Sequence, residues 1–243
     1  MIALFTDFGC AGPYVGQMTS VILQHNPSVS VVNLFSDAPR FNPRAASFLL
    51  AAYSVDFPAD TVFLCVVDPG VGTQMRQPVI VRANSQWFVG PDNGLFNTVL
   101  SRSSEKEKWC ITYKPKRLSN SFHGRDLFAP VAAWLASSGL PEGAKSLDID
   151  LSAWPNDLRE IVYVDSFGNL ICGTRAREVK AGYSVSINNR ILSRANTFAN
   201  MPVGEAFWYE NANGLVEIAV NQGRADQLFE ADIGTHIEII HHE

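Results

Sequence analysis

Three short apolar runs in this chain of 243 residues end on an aspartate followed by a glycine-containing turn. Ala3-Leu4-Phe5-Thr6 leads into Asp7-Phe8-Gly9, and Leu64-Cys65-Val66-Val67 into Asp68-Pro69-Gly70. Val162-Tyr163-Val164 leads into Asp165-Ser166-Phe167-Gly168-Asn169. If the runs are strands of an open α/β sheet, their carboxyl ends face the crevice where such sheets bind ligands. Asp7 and Asp68 are then expected in one cleft, with the Asp165 loop closing it from a second domain. Each aspartate could instead simply cap a turn or a helix; that reading suits any one of them better than all three. A carboxylate accepts both hydrogens of a ribose diol, so one of these positions suggests a nucleoside.

The densest polar cluster is Ser121-Phe122-His123-Gly124-Arg125-Asp126, immediately before a helix-like stretch. Of five histidines, three stand near the C-terminus. A histidine beside Gly, Arg and Asp at a helix start favours site chemistry; the alternative is Asp126 capping the helix beside an exposed His123. The loop Asp68-Pro69-Gly70-Val71-Gly72-Thr73 lacks the Gly-Lys-Ser/Thr of a P-loop and the third glycine of a dinucleotide fingerprint. Gly90-Pro91-Asp92-Asn93-Gly94 reads as a turn in which Asn93 can hold a ligand. A metal-dependent hydrolase built on Asp7, Asp68, Asp92 and His123 is a rival reading, but no two of these show a recognised metal spacing. Neither a metal nor a cofactor is expected.

These residues need a frame. Residues 2–5, 30–35 and 61–67 read as strands, the last nearly all apolar. Pro13 opens a helix to about residue 25, with Val15, Met18 and Ile22 on one face. Pro43 opens a second helix to about residue 55. Apolar strands alternating with helices predict a parallel sheet covered on both faces. Residues 78–82 and 87–90 read as a hairpin added to that sheet, and 126–137 as a helix. Residues 138–157 turn to Gly, Pro, Ser and Asp, the texture of a linker. Beyond it, short runs at 161–164, 183–187, 207–209, 216–220 and 235–240 predict a small all-β barrel or sandwich. The expected architecture is α/β: an N-terminal α/β domain with a mainly parallel sheet over residues 1–150, and a smaller C-terminal β-barrel domain over 158–243.

Composition fits this frame. Hydrophobic residues form 47% of the chain and charged ones 18%, which excludes the low-hydrophobicity signature of disorder. A net charge of −5 argues against nucleic-acid binding. No run approaches the ~20 apolar residues that span a bilayer, and the start lacks the basic region of a secretory signal. The four cysteines are widely spaced without a CxxC, so reduced thiols and a cytoplasmic location are expected.

Taken in order, Thr6-Asp7-Phe8-Gly9, Val67-Asp68-Pro69-Gly70-Val71-Gly72-Thr73, Gly90-Pro91-Asp92-Asn93-Gly94, Phe122-His123-Gly124-Arg125-Asp126 and Asp165-Ser166-Phe167-Gly168-Asn169 are specific as a set. With Gly214-Leu215-Val216-Glu217-Ile218-Ala219-Val220-Asn221 they resemble the S-adenosyl-L-methionine (SAM) hydroxide adenosyltransferase family, relatives of the SAM halogenases. The resemblance covers nearly the whole chain. It implies hydrolysis of SAM to adenosine and L-methionine by attack of water or hydroxide on C5′, in a homotrimer that binds SAM between subunits. By motif position it implies Asp7 on the ribose hydroxyls, with Phe8 as an apolar neighbour. Asn169, with Asp165, would hold the methionine end, and backbone around Val220 and Gln222 the adenine edge. Asp68, an arginine in the following loop and His123 would hold the attacking water.

The chain departs from the family pattern twice. The arginine expected seven residues after the aspartate is Met75, and Arg76 follows it. Asn211-Ala212-Asn213-Gly214 stands where relatives carry a Ser-rich stretch on the methionine carboxylate, and Asn211 and Asn213 can donate the same hydrogen bonds. The first departure leaves a SAM or adenosine sensor without turnover as the alternative.

Overall fold

The opening apolar run forms β1 (Ile2–Thr6), buried along its whole length between two parallel neighbours, β2 (Val31–Phe35) and β3 (Val62–Val66). The computed structural model describes residues 1–73, 76–140 and 143–241, and the chain divides into two compact units, Met1–Trp154 and Pro155–Glu243. In the first, β4 (Pro78–Ala83) and β5 (Gln86–Pro91) form a hairpin, and β6 (Lys106–Cys110) and β7 (Lys145–Ser146) follow at one edge. The strand order is β2-β1-β3-β5-β4-β6-β7.

The sheet is mixed rather than purely parallel. Neighbours β2, β1, β3 and β5 pair in parallel; β5–β4, β4–β6 and β6–β7 are antiparallel pairs. The hairpin is the cause. Its two-residue connection leaves Asn84 at φ 52°, and so short a link joins only antiparallel strands. The hairpin's second strand, β5, takes the place beside β3, and β4 carries the antiparallel half outward.

Because side chains alternate across a strand, the two sheet faces are read directly. Ile2, Leu4, Val62, Leu64 and Val66 pack with α1 (Tyr14–His25) and α4 (Ala129–Ser138), where Met18, Ile22, Val131 and Leu135 are buried. On the other face Phe5, Phe63 and Phe88 meet Phe35, Phe57 and Phe96. Here α2 (Pro43–Tyr53) packs with α3 (Asn97–Arg102), and Tyr53 meets Phe35 edge-on. The Asn42 side chain caps α2 by accepting the Ala45 N–H at 3.0 Å, with Pro43 in the first turn. Trp154, inside the stretch read as linker, stacks on Phe48 and donates its indole N–H to Thr98 at 2.9 Å.

The second unit is one seven-stranded sheet in the order β14-β10-β11-β12-β13-β9-β8. Its strands are β8 (Leu158–Val164), β9 (Leu170–Arg175), β10 (Tyr183–Ile187), β11 (Arg190–Arg194), β12 (Ala206–Glu210), β13 (Leu215–Val220) and β14 (Ile237–His241), with α5 (Ala225–Phe229) before the last. The sheet curls until its edge strands approach, through the bridge Glu160–His236 and the bonds of Ile161 with Thr235 and Gly234. It is a half-barrel whose seam is closed at one point. Among the described residues no helix is long and apolar enough to cross a membrane.

Candidate functional site

In the first unit the carboxyl ends of β1 and β3 lie side by side, since Thr6 is in register with Val66 and the Asp7 N–H donates to the Val66 carbonyl at 3.4 Å. Asp7 follows β1 directly. Its Oδ2 accepts the Phe41 N–H at 3.1 Å, and Phe41 is 76% exposed with φ 56°. Burial pushes the Asp7 carboxyl above its ordinary value; the Phe41 N–H opposes this, and the nearby Asp68 carboxylate adds to it. The two strand-end aspartates therefore share one electrostatic neighbourhood.

Asp68 is engaged by Arg76. Arg76 Nε donates to Asp68 Oδ1 at 3.0 Å and Nη2 to Oδ2, with both side chains at least 95% buried. Arg76 Nη2 also lies 3.1 Å from His123 Nδ1. A guanidinium can only donate, so His123 Nδ1 is the acceptor and the ring proton sits on Nε2. Burial, and then the Arg76 charge, hold the His123 pKa below its ordinary value. The result is a linear array of carboxylate, guanidinium and neutral imidazole with a fixed tautomer. Met75, the other candidate for the arginine position, lies outside the described residues.

Two local features deliver these groups. The loop after β3 turns at Gly72, at φ 78°, where an added Cβ would stand 2.4 Å from the Asn120 carbonyl. Only glycine lets that loop lie against the segment before His123. His123 itself begins a π-helical turn, Gly124–Phe128, that runs into α4. Such turns are frequent at functional sites. Asp126 does not cap the helix: it accepts the Ser119 N–H at 2.7 Å and pairs with Arg125, tying the preceding loop to the turn.

Phe8 forms an aromatic cluster with Tyr14 and Phe122, at ring separations of 5.5–5.8 Å. Asn93, at the end of β5, spends its side chain on structure: Nδ2 donates to the Val67 carbonyl at 2.9 Å and Oδ1 accepts the Leu95 N–H. A cavity of about 900 Å³ opens beside Arg76 and His123, lined also by Thr73, Ile111, Tyr113 and Leu127. Among the described residues no group of three or more His, Cys, Asp or Glu is arranged to hold a metal ion.

The second unit gathers its own set. A cavity of about 640 Å³ is lined by Asp165, Asn169, Val220 and Gln222, all singled out from sequence. Asp165 Oδ1 accepts the N–H groups of Phe167 and Asn169 at 2.9 and 2.8 Å, and Oδ2 accepts Asn169 Nδ2 at 2.9 Å. The turn needs Gly168, at φ 86°, where a Cβ would collide with Arg224 and Asp226. Gln222 is left-handed, at φ 53°. Asn211 and Asn213 are not among the lining residues. Asn211 Oδ1 accepts the N–H groups of Asn213 and Leu215, and its Nδ2 donates to Glu217 at 3.0 Å. Sequence reasoning missed Phe198, Tyr209, Glu217 and Arg224 in this lining. Glu217 left a signal, as the one charged residue in the apolar run 215–220.

Both units match family descriptions: "SAM hydroxide adenosyltransferase N-terminal domain" over residues 2–145 and the corresponding "C-terminal domain" over 159–238. The chain is 32% identical, over 98% of its length and 99% of the relative's, to a protein of Thermus thermophilus named "(R)-S-adenosyl-L-methionine hydrolase". A protein of Salinispora arenicola with the same name is 31% identical over 98% of this chain and 97% of its own. Among solved structures, an uncharacterized conserved protein from Thermotoga maritima superposes with a TM-score of 0.86 at 34% identity, covering 98% of this chain and 99% of its own. Matches that span both units and almost every residue leave one assignment: the chain belongs to the SAM hydroxide adenosyltransferase family.

Proposed function

We propose that this protein hydrolyses SAM to adenosine and L-methionine by attack of water or hydroxide on C5′. The observation that carries the reading is the Asp68–Arg76–His123 array, with its ion pair buried, beside Asp7. SAM already holds a neutral thioether as leaving group, so no general acid is required. What the reaction needs is a water held in line behind C5′. Each Asp68 oxygen keeps a lone pair beyond its bond to Arg76, so the carboxylate can accept a hydrogen bond from that water. The guanidinium and the His123 Nε2–H supply donors that fix one of the water's lone pairs and leave the other aimed at C5′. As the C5′–O bond forms, the C5′–S pair leaves on methionine, and the water proton passes to solvent. Charge is neutralised when hydroxide meets a sulfonium, so an apolar surround such as Phe8, Phe41 and Phe122 favours the step.

In this reading Asp7 holds the ribose hydroxyls, with Asn93 bracing the loop beside them. Asp165 and Asn169 hold the methionine end, and backbone near Val220 and Gln222 the adenine edge. Asn211 and Asn213 serve the turn that shapes this unit. Ligand residues on both units support a homotrimer in which neighbouring subunits supply the two sets to one SAM. The curled second sheet is read as a β-barrel, and four free cysteines support a cytoplasmic setting. No cofactor, nucleic acid or membrane is involved. The test is incubation of chelator-treated protein with SAM, followed by product identification. Adenosine and L-methionine in equal amounts are expected; tight SAM binding without either product makes the protein a sensor.

A further inference from the structure

On β13, Glu217 is 6% exposed between apolar neighbours. Its two oxygens accept the Tyr209 hydroxyl and, at 3.0 Å, the Asn211 amide. Both partners are neutral, and among the described residues no cation pairs with the carboxylate. A second carboxylate of the same sign lines the cavity: the field of Asp165 acts on Glu217. The cavity's guanidinium, Arg224, is already committed to Asp226 by two bonds of 3.1 and 2.7 Å and to the Ser166 carbonyl at 3.0 Å. A buried charge without an ionic partner is costly, and that cost falls when a ligand brings the opposite charge. The surplus of negative charge in the cavity therefore asks for a cation.

We propose that Glu217 is a specificity determinant that selects the cationic substrate over neutral ligands of the same shape. The proposal rests on the SAM reading given above. SAM carries a sulfonium that disappears when the C5′–S bond breaks, leaving neutral adenosine and zwitterionic methionine. A carboxylate fixed in this cavity stabilises the ligand before the reaction and loses that stabilisation after it. Binding is thereby directed to substrate, and product departure is eased without any change of protein shape. The neutral partners suit the role, because they hold the carboxylate in place without cancelling its charge.

The test uses two ligands that lack the sulfonium leaving group. Sinefungin carries a protonated amine where SAM has its sulfonium, and S-adenosylhomocysteine has an uncharged thioether. Both are titrated calorimetrically at low ionic strength into wild type, Glu217→Gln and Tyr209→Phe. In the first variant Gln can accept from Asn211 and donate to Tyr209, so the network survives while the charge is removed. The preference for sinefungin is expected to fall by roughly ten- to a thousandfold in Glu217→Gln, the scale of one charge pair ~12 to ~4 Å apart through an effective dielectric of about 20. Affinity for S-adenosylhomocysteine should hardly change. Tyr209→Phe, which retains the carboxylate, should keep the preference. If Glu217→Gln gives no cooperative thermal transition, the apolar Glu217→Leu takes its place in the same comparison. Equal losses for both ligands, or an unchanged preference, would overturn the proposal while SAM turnover by wild type still upholds the hydrolase reading. A wild type that neither binds nor turns over SAM would overturn both.

Discussion

Replacing Arg76 by methionine removes the cation from a pair whose side chains are 5% and 3% exposed. Asp68 is then left buried with its charge unmet. Removing one partner of such a pair costs about 3–5 kcal/mol, mostly the penalty of the orphaned charge. The unit concerned spans Met1–Trp154, a size at which each kcal/mol moves the melting temperature by roughly 2–4 °C. The transition of this unit should therefore fall by roughly 6–20 °C at pH 7. Two further consequences separate this from general damage. Adding Asp68→Asn to Arg76→Met should restore part of the loss, because no charge is left stranded. The His123 pKa should also rise towards its ordinary value, since the guanidinium is one of the two causes that hold it down. Calorimetry gives the first pair of values and imidazole NMR the last. A drop under about 1 kcal/mol, with no recovery in the double variant, would refute the buried-pair reasoning.

Asp7→Ala should weaken ligand binding by roughly ten- to a hundredfold, the worth of one charge-assisted hydrogen bond, whereas Asp68→Ala should abolish turnover and leave binding largely intact; equilibrium binding and methionine-release assays check both. Turnover should fall on the acid side as His123 takes a proton on Nδ1 and loses its bond to Arg76. Because its pKa is lowered, the midpoint of that fall in kcat should lie below about 6.5, and a midpoint above it contradicts the hold of burial and Arg76 on His123. Light scattering should give a trimer, and a monomer that still binds SAM tightly would remove the intersubunit site.

Much of this was legible because the informative residues sit at strand ends. Asp7 and Asp68 were placed by the apolar runs before them, and parallel pairing of β1 and β3 brings both to one edge. The order of β5 was not legible: the hairpin signal at 78–90 fixes an antiparallel pair but not which of its strands joins β3. β6 was missed because Lys106-Glu107-Lys108 masks alternation on an exposed edge. A cap was the alternative reading for Asp126 because it precedes an apolar helix; its bonds to Ser119 and Arg125 depend on a π-helical turn that no periodicity reveals. Glu217 stood in plain view, but its meaning depends on what does not touch it, and only packing shows that.

The most direct measurement is turnover of SAM in oxygen-18 water with mass analysis of both products. Attack on C5′ predicts one heavy oxygen in the 5′-hydroxyl of adenosine and none in L-methionine, with no 5′-chloro-5′-deoxyadenosine even in ~1 M chloride, where screening has a length of only ~3 Å. Heavy oxygen in methionine, or a chlorinated nucleoside, would contradict the account.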